Sequence, residues 1–363
     1  MTMKVARKPT ASTKMSRTSP EMAKKPDTSI PGIVIIDKPA GMTSHDVVSK
    51  MRRVAHTRKV GHGGTLDPMA TGVLVIGIGQ ATRLLTYITA GSKAYDATIR
   101  FGVAMTTDDA QGQPISIAGC EQLDREALES AMASLRGEIM QVPATVSAIK
   151  VDGKRAYALA REGRSVELKA RPITIHAFER LGDPRIQMAE YAIATDDDSA
   201  EMTAIPVSVV DVDVHVDCSS GTYIRSLARD LGQMLGCGAH LTALRRTRVA
   251  SFTLSGAHQL ADLQAETEAR GEFSPGAPSL PSPGLIPIAE AATSLFPSIV
   301  LSAEEEQRFS HGQAPTRDAQ EVMALGNPGD VIAACNTSGV LCGVLAIKNH
   351  SLKTLNVFSG ETQ

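Results

Sequence analysis

Residues 61–75 read GHGGTLDPMATGVLV. Gly61, His62, Gly63, Gly64 and Asp67 crowd the first seven positions, and from Val73 the chain turns apolar and β-forming. Such a stretch has three readings: a phosphate cradle, a turn, or a loop that presents Asp67. A P-loop ends in Gly-Lys-Ser/Thr and opens a helix, and a dinucleotide fingerprint is GxGxxG after a strand. This stretch has neither ending and leads into a strand, so no helix N-terminus follows to hold a phosphate. Asp67-Pro68 is ordinary turn chemistry, and the glycines permit positive φ. A short permissive loop is also a good place from which to hold a side chain against a ligand. Residue type alone leaves the last two readings open.

Outward from the loop, the surrounding chain is well patterned. On its N-terminal side GIVIIDKP (32–39) reads as a buried strand ending at Lys38-Pro39. Thr43 or Ser44 can cap a helix with Asp46 in its first turn. Val47, Val48, Met51 and Val54 give that helix one apolar face, and Lys50, Arg52 and Arg53 lie elsewhere on it. On the C-terminal side come a strand over 73–78, a helix near 80–90 and an alternating strand, KAYDATIRFG (93–102). A polar loop, TTDDAQGQP, precedes a helix over about 124–135. Residues 183–204, with Asp196-Asp197-Asp198, read as a loop between strands. VSVVDVDVHVDC (207–218) alternates as a strand, and SSGTYIRSLARDLGQMLG continues as an amphipathic helix closed near Gly236. Strands and helices are interspersed without regular βαβ spacing, which predicts an α+β fold.

Residues 1–29 are basic and poor in apolar side chains, a composition that predicts a disordered tail. Gly, Pro and Ser dominate about 265–286, read as a linker before a last segment (287–363) with strand-like runs and little helix. At 363 residues the chain is long enough for two domains with tails. No apolar run approaches the ~18 residues of a membrane helix. The five cysteines include no CxxC pair, so neither a zinc site nor a disulfide framework is indicated, and a cytosolic protein with reduced thiols is expected. The net charge of −2 gives no global attraction to nucleic acid. Local basic clusters at Arg52, Arg53, Arg58 and Lys59, and at Arg245, Arg246 and Arg248, could supply one.

Several of these segments resemble the TruB family of tRNA pseudouridine synthases, in the family's order. GHGGTLDPMATGVL is similar to its catalytic-aspartate loop and GIVIIDKPAGMTSHDVV to its Lys-Pro strand and turn. KAYDATIRFG resembles the strand carrying its active-site tyrosine. QVPATVSAIKVDGKRAYALAREG (141–163) resembles its RNA-gripping insertion, which would extend over about 141–177. CSSGTYIRSLARDLG and GAHLTALRRTRVASF resemble its arginine motif and the segment after it. The motifs span roughly 32–253. Two departures stand out: Gly63 where the family often has Thr, and Pro143-Ala144-Thr145-Val146 where it often has Pro-Pro and Tyr.

The resemblance implies a pseudouridine synthase fold over 30–264, a mixed and largely antiparallel sheet flanked by helices, followed by a small PUA-like RNA-binding domain. It implies isomerisation of uridine at position 55 in the TΨC loop of tRNA, with no cofactor, no metal and no obligatory protein partner, by a cytoplasmic monomer. Asp67 matches the catalytic aspartate, which would either attack C1′ or take the C2′ proton. Tyr95 matches the tyrosine that stacks on the flipped base. Arg225 matches the arginine paired with the carboxylate, Tyr223 and Leu244 match positions lining the base pocket, and His62 matches a histidine that props the RNA loop open. Lys150, Lys154, Arg155, Arg161 and Arg245–Arg248 would then suit phosphate contacts.

Overall fold

A computed structural model describes residues 29–144, 150–151, 154–155, 168–194, 202–271 and 281–358. The expected basic tail, the acidic run at 196–198, Arg161 and most of the expected insertion lie outside the described residues, as do the side chains of Lys150, Lys154 and Arg155. The elements that position the site are numbered here in chain order.

Strand β1 (Gly32–Lys38) is buried nearly throughout, as its apolar run requires of an interior strand. Helix α1 (Ser44–Val54) starts at Thr43, whose side chain accepts from the Asp46 N–H while the Asp46 carboxylate accepts from the Thr43 N–H at 2.9 Å. This reciprocal cap uses Asp where Glu or Gln is usual. Val47, Val48, Met51 and Val54 are the helix's buried face, as the spacing predicts. Strands β2 (Val60–His62) and β3 (Thr71–Ile78) form an antiparallel pair in which His62 faces Ile76, so the glycine-rich loop is the connection of a hairpin. The helix expected near 80–90 divides into a 3₁₀ turn (Gly79–Arg83) and a short α-helix (Leu85–Ala90). Next come β4 (Lys93–Phe101), a helix over Arg125–Ser134, and β5 (Gly137–Gln141). They are followed by β6 (Arg171–Arg180), β7 (Arg185–Ala194), β8 (Met202–Cys218), α2 (Ile224–Met234) and β9 (Ala239–Val249).

The main sheet runs in the order His258–Gln259, β1, β3, β9, β4, β8, β6, β5. Only β1 with His258–Gln259 and β3 with β9 are parallel; the other neighbours are antiparallel. This is the mixed, largely antiparallel sheet of an α+β fold. The alternation in β8 is used as the period of two demands: Val210, Val212, Val214 and Val216 enter the core, packed with α1, α2 and the helix over 125–134.

The stretch 183–204 departs from the expected loop. Residues 185–194 are strand β7, paired with β8 from Arg185↔Asp211 to Ala194↔Met202, and β8 begins at Met202 rather than near 207. In this ribbon the polar residues turn towards partners, with Arg185 on Asp213 and Gln187 on Asp211. Ile186 and Met188 remain exposed. Polar and apolar residues over 185–188 are alike exposed, so no burial alternation marks the start of the strand.

The last segment has its own four-stranded sheet, Ser298–Leu301, Val331–Asn336, Leu341–Lys348 and Ser351–Val357. It holds more helix than expected, over Ile288–Leu295, Ala303–Ser310 and Ala319–Leu325. Its Ala333, Leu341 and Val344 share a core with Ile33, Ile35, Val73 and Val75 from the opposite face of the main sheet. A helix over Leu260–Ala269 runs into the stretch read as linker.

Candidate active site

The loop between β2 and β3 is pinned along its length. Asp67 opens a turn closed by the Ala70 N–H on the Asp67 carbonyl at 3.1 Å, with Pro68 second in the turn. The Leu66 N–H donates to Ser44 Oγ at 2.8 Å, tying the loop to the start of α1. The Gly41 N–H donates to the Pro68 carbonyl at 2.8 Å. Lys38, fully buried, gives its ammonium to the carbonyls of Pro39, Met42 and Pro68 at 2.8, 2.7 and 3.3 Å. The Lys-Pro turn thus serves as a bracket for the aspartate turn. Burial brings the Lys38 pKa down to about 8, with Asp67 opposing and Arg246 adding to the fall. Gly72 cannot be another residue: its φ is +100°, and a Cβ there would lie 2.2 Å from the Arg246 carbonyl oxygen.

Asp67, presented by this turn, meets Arg225 from the first turn of α2. Arg225 Nε stands 3.0 Å from Asp67 Oδ2, and its Nη2 donates to Oδ1 at 3.3 Å, a two-pronged contact. The same guanidinium donates to the Thr107 carbonyl at 3.0 Å and reaches Asp109 Oδ2 at 3.4 Å. Arg225 and Asp109 side chains are each 5% exposed, whereas Asp67 keeps 35%. One edge of the carboxylate is therefore open while the other is held. Burial, reinforced by Asp109, raises the Asp67 pKa, and Arg225 and Lys38 pull it back.

Tyr95 lies on β4, opposite Arg246 of β9 and Val216 of β8, and is buried. Burial raises its pKa, and the charge of the nearby Arg246 opposes that rise. Leu244 sits opposite Ala97 in the same core. Tyr223 caps α2 without a side-chain cap bond. Its backbone is clasped by Gln141, which accepts from the Tyr223 N–H at 2.9 Å and donates to its carbonyl at 3.1 Å. His62 is half-buried at the loop's start, and burial, then Arg246, lower its pKa, so its imidazole is neutral at neutral pH. Asp67, Arg225 and Tyr95 thus come together from three distant parts of the chain, with His62, Tyr223 and Leu244 on the elements around them.

Residues 52–224 match the family model described as TruB family pseudouridylate synthase (N terminal domain), and 225–274 match tRNA pseudouridylate synthase B C-terminal domain. The chain belongs to the TruB family. The curated protein called tRNA pseudouridine synthase B from Arthrobacter sp. (strain FB24) is 46% identical over 90% of this chain and 96% of its own. The protein of that name from Thermobifida fusca (strain YX) is 48% identical over 85% and 95%. Among solved structures, a chain of a Cbf5-Nop10-Gar1 complex superposes with a TM-score of 0.62 at 22% identity, covering 92% of this chain and 91% of that one. That likeness concerns the fold.

Sequence reading did not single out four residues of this TruB site. Lys38 and Ser44 brace the loop, Gln141 clasps the entry to α2, and Asp109 shares Arg225 with Asp67. The only local signal for Asp109 was an acidic pair in a polar loop, which does not say which carboxylate turns inward. Within the basic cluster at 245–248, Arg246 needs correction as a phosphate grip. Arg246 is 1% exposed, Arg245 pairs with Asp37 at 2.8 Å and Arg248 with Asp217 at 2.7 Å. Arg245 and Arg248 stay part-exposed, each paired with an acid across the sheet.

Asp108 gives a stability prediction. Burial pushes its carboxyl up to about 6, against Arg229 at 3.3 Å. An unfolded Asp titrates near ~3.9. The folded form therefore binds more protons between about pH 4 and 6, so this group's contribution to stability falls through that window and is level above it. Asp108→Asn removes the dependence, and Asn tolerates the φ of 59°. Urea unfolding of the variant should gain on the parent by up to about 3 kcal/mol between pH 4 and pH 7. A difference independent of pH contradicts the assignment.

Proposed function

We propose that this protein converts uridine 55 in the TΨC loop of tRNA to pseudouridine, with Asp67 as the carboxylate acting at the ribose of a flipped-out uridine. The observation that supports it best is the Asp67–Arg225 pair: a carboxylate held on one edge, open on the other, on the same sheet end as Tyr95. The reaction breaks N1–C1′, forms C5–C1′, moves a proton onto N1 and loses one from C5. Charge develops at the sugar and on the departing base, and an anionic group poised at C1′ answers the first of these. Attack on C1′ and removal of the C2′ proton both require Asp67 ionised, which is what Arg225 favours.

Extruding the uridine costs a few kcal/mol. Arg53, Arg58 and Lys59 at the exposed end of α1 are suited to offset it through phosphate contacts. In this reading 287–363 is a PUA-like second RNA contact, and the protein acts as a cytoplasmic monomer. Among the described residues no helix is long and apolar enough to cross a membrane.

The test is tritium release from a T-arm carrying 5-tritiated uridine at position 55. Wild type should release one equivalent. Tight T-arm binding without release would replace this reading by that of an RNA-binding module.

A further inference from the structure

Arg246 is the largest fully buried side chain among the described residues. Such a site on an interior strand would ordinarily hold Leu or Val, because a buried guanidinium is expensive to desolvate. Its partners are unusual too. Nε donates to the Val73 carbonyl at 2.8 Å, Nη1 to Thr65 at 3.2 Å and Nη2 to Gly64 at 3.1 Å. All three acceptors are backbone oxygens, and they lie on both arms of the loop that carries Asp67. One planar group therefore spans the loop's mouth.

Across the β9–β4 register Arg246 stands directly opposite Tyr95. Guanidinium has five donors and no acceptor. Nε, Nη1 and Nη2 are each spent on the loop, which ties it to the strand beside Tyr95.

We infer that Arg246 is a positioning residue for the reaction: it clamps both arms of the loop that presents Asp67 onto strand β9, opposite Tyr95, and so fixes the distance between Asp67 and Tyr95. This rests on the proposed pseudouridine synthase reading. Lysine could not substitute, since its three donors radiate from one point and cannot span acceptors placed for a planar fork. The charge of Arg246 also contributes to lowering the pKa of Lys38, Lys93 and His62, in keeping with a cation at the centre of the site rather than at its rim.

The experiment compares wild type, Arg246→Lys, Tyr95→Phe and the double variant. Single-turnover tritium release is measured alongside T-arm affinity and melting temperature. Arg246→Lys should slow the single-turnover rate about 100-fold, the scale of a misplacement of about 1 Å, while T-arm affinity stays within about threefold of wild type. In the Tyr95→Phe background the same change should cost clearly less, because the Asp67–Tyr95 distance it fixes no longer serves a hydroxyl. A near-wild-type rate in Arg246→Lys, or rate losses that simply multiply in the double variant, overturns the inference and leaves the proposed function standing. An inactive wild type overturns both. Should Arg246→Lys fail to fold, the guanidinium ¹⁵N resonances of Arg246 carry the test. Scalar couplings across their hydrogen bonds to the Val73, Thr65 and Gly64 carbonyls are expected, and their absence overturns the clamp.

Discussion

Asp67→Asn will abolish tritium release from the T-arm, by at least about 10⁴-fold, with T-arm affinity kept within a few-fold. The scale is that of removing the central group of a catalytic unit. Asparagine has nearly the same shape and keeps one oxygen for Arg225, so the turn at 67–70 and its bond from Ala70 should survive. What it lacks is the negative charge, needed whether the carboxylate attacks C1′ or removes the C2′ proton. A variant that still turns over at a tenth of the wild-type rate would remove Asp67 from the centre of the chemistry.

Arg225→Ala should have the second-largest effect, and on two readouts. Turnover should fall about 10²- to 10³-fold, the size of losing one preorganised electrostatic partner, with affinity much less changed. Arg225 opposes the upward push of burial and Asp109 on the Asp67 carboxyl. Its loss raises that pKa further, so the acid limb of kcat/KM moves to higher pH. The variant should also lose roughly 3–5 kcal/mol of stability, because Asp109 is left buried without this partner and the Thr107 carbonyl loses its donor. Arg225→Lys, which keeps the charge but not the fork, should fall between. An acid limb that stays in place in Arg225→Ala would show that the pair does not set the ionisation of Asp67.

Much of the fold was legible because its patterns are local. β1 announces itself as an apolar run ending at Lys-Pro, α1 by Thr43 and its valine face, β8 by strict alternation. Strand β7 was not legible, because its polar residues find ionic partners on β8 while Ile186 and Met188 face outward. That arrangement depends on which strand lies alongside. The small helices of the last segment were also missed: each is seven or eight residues long, too short for a clear helical period.

The candidate site divides the same way. Motifs at 61–75, 93–102 and 218–232 named Asp67, Tyr95 and Arg225, and the linear order of those motifs pointed to the family. Asp109 had no such signal, and Lys38, Ser44 and Gln141 lay inside matched motifs without a role of their own, since each matters through a partner far along the chain. Arg246 is the clearest case. From sequence it was one more arginine in a basic run and a natural phosphate contact. The tertiary structure places β9 between β3 and β4, so that this position points into the core beneath the loop.

The sequence by itself determined the local things: where strands and helices begin, that the glycine-rich loop is a turn rather than a phosphate cradle, and which carboxylate it carries. These follow from backbone sterics and short-range periodicity, which act over a few residues. Only the tertiary structure decided which charges meet: that Arg225 crosses 158 positions to reach Asp67, and that Arg246 faces inward instead of towards RNA. Strand order and burial set those pairings, and neither is written in any single stretch of chain.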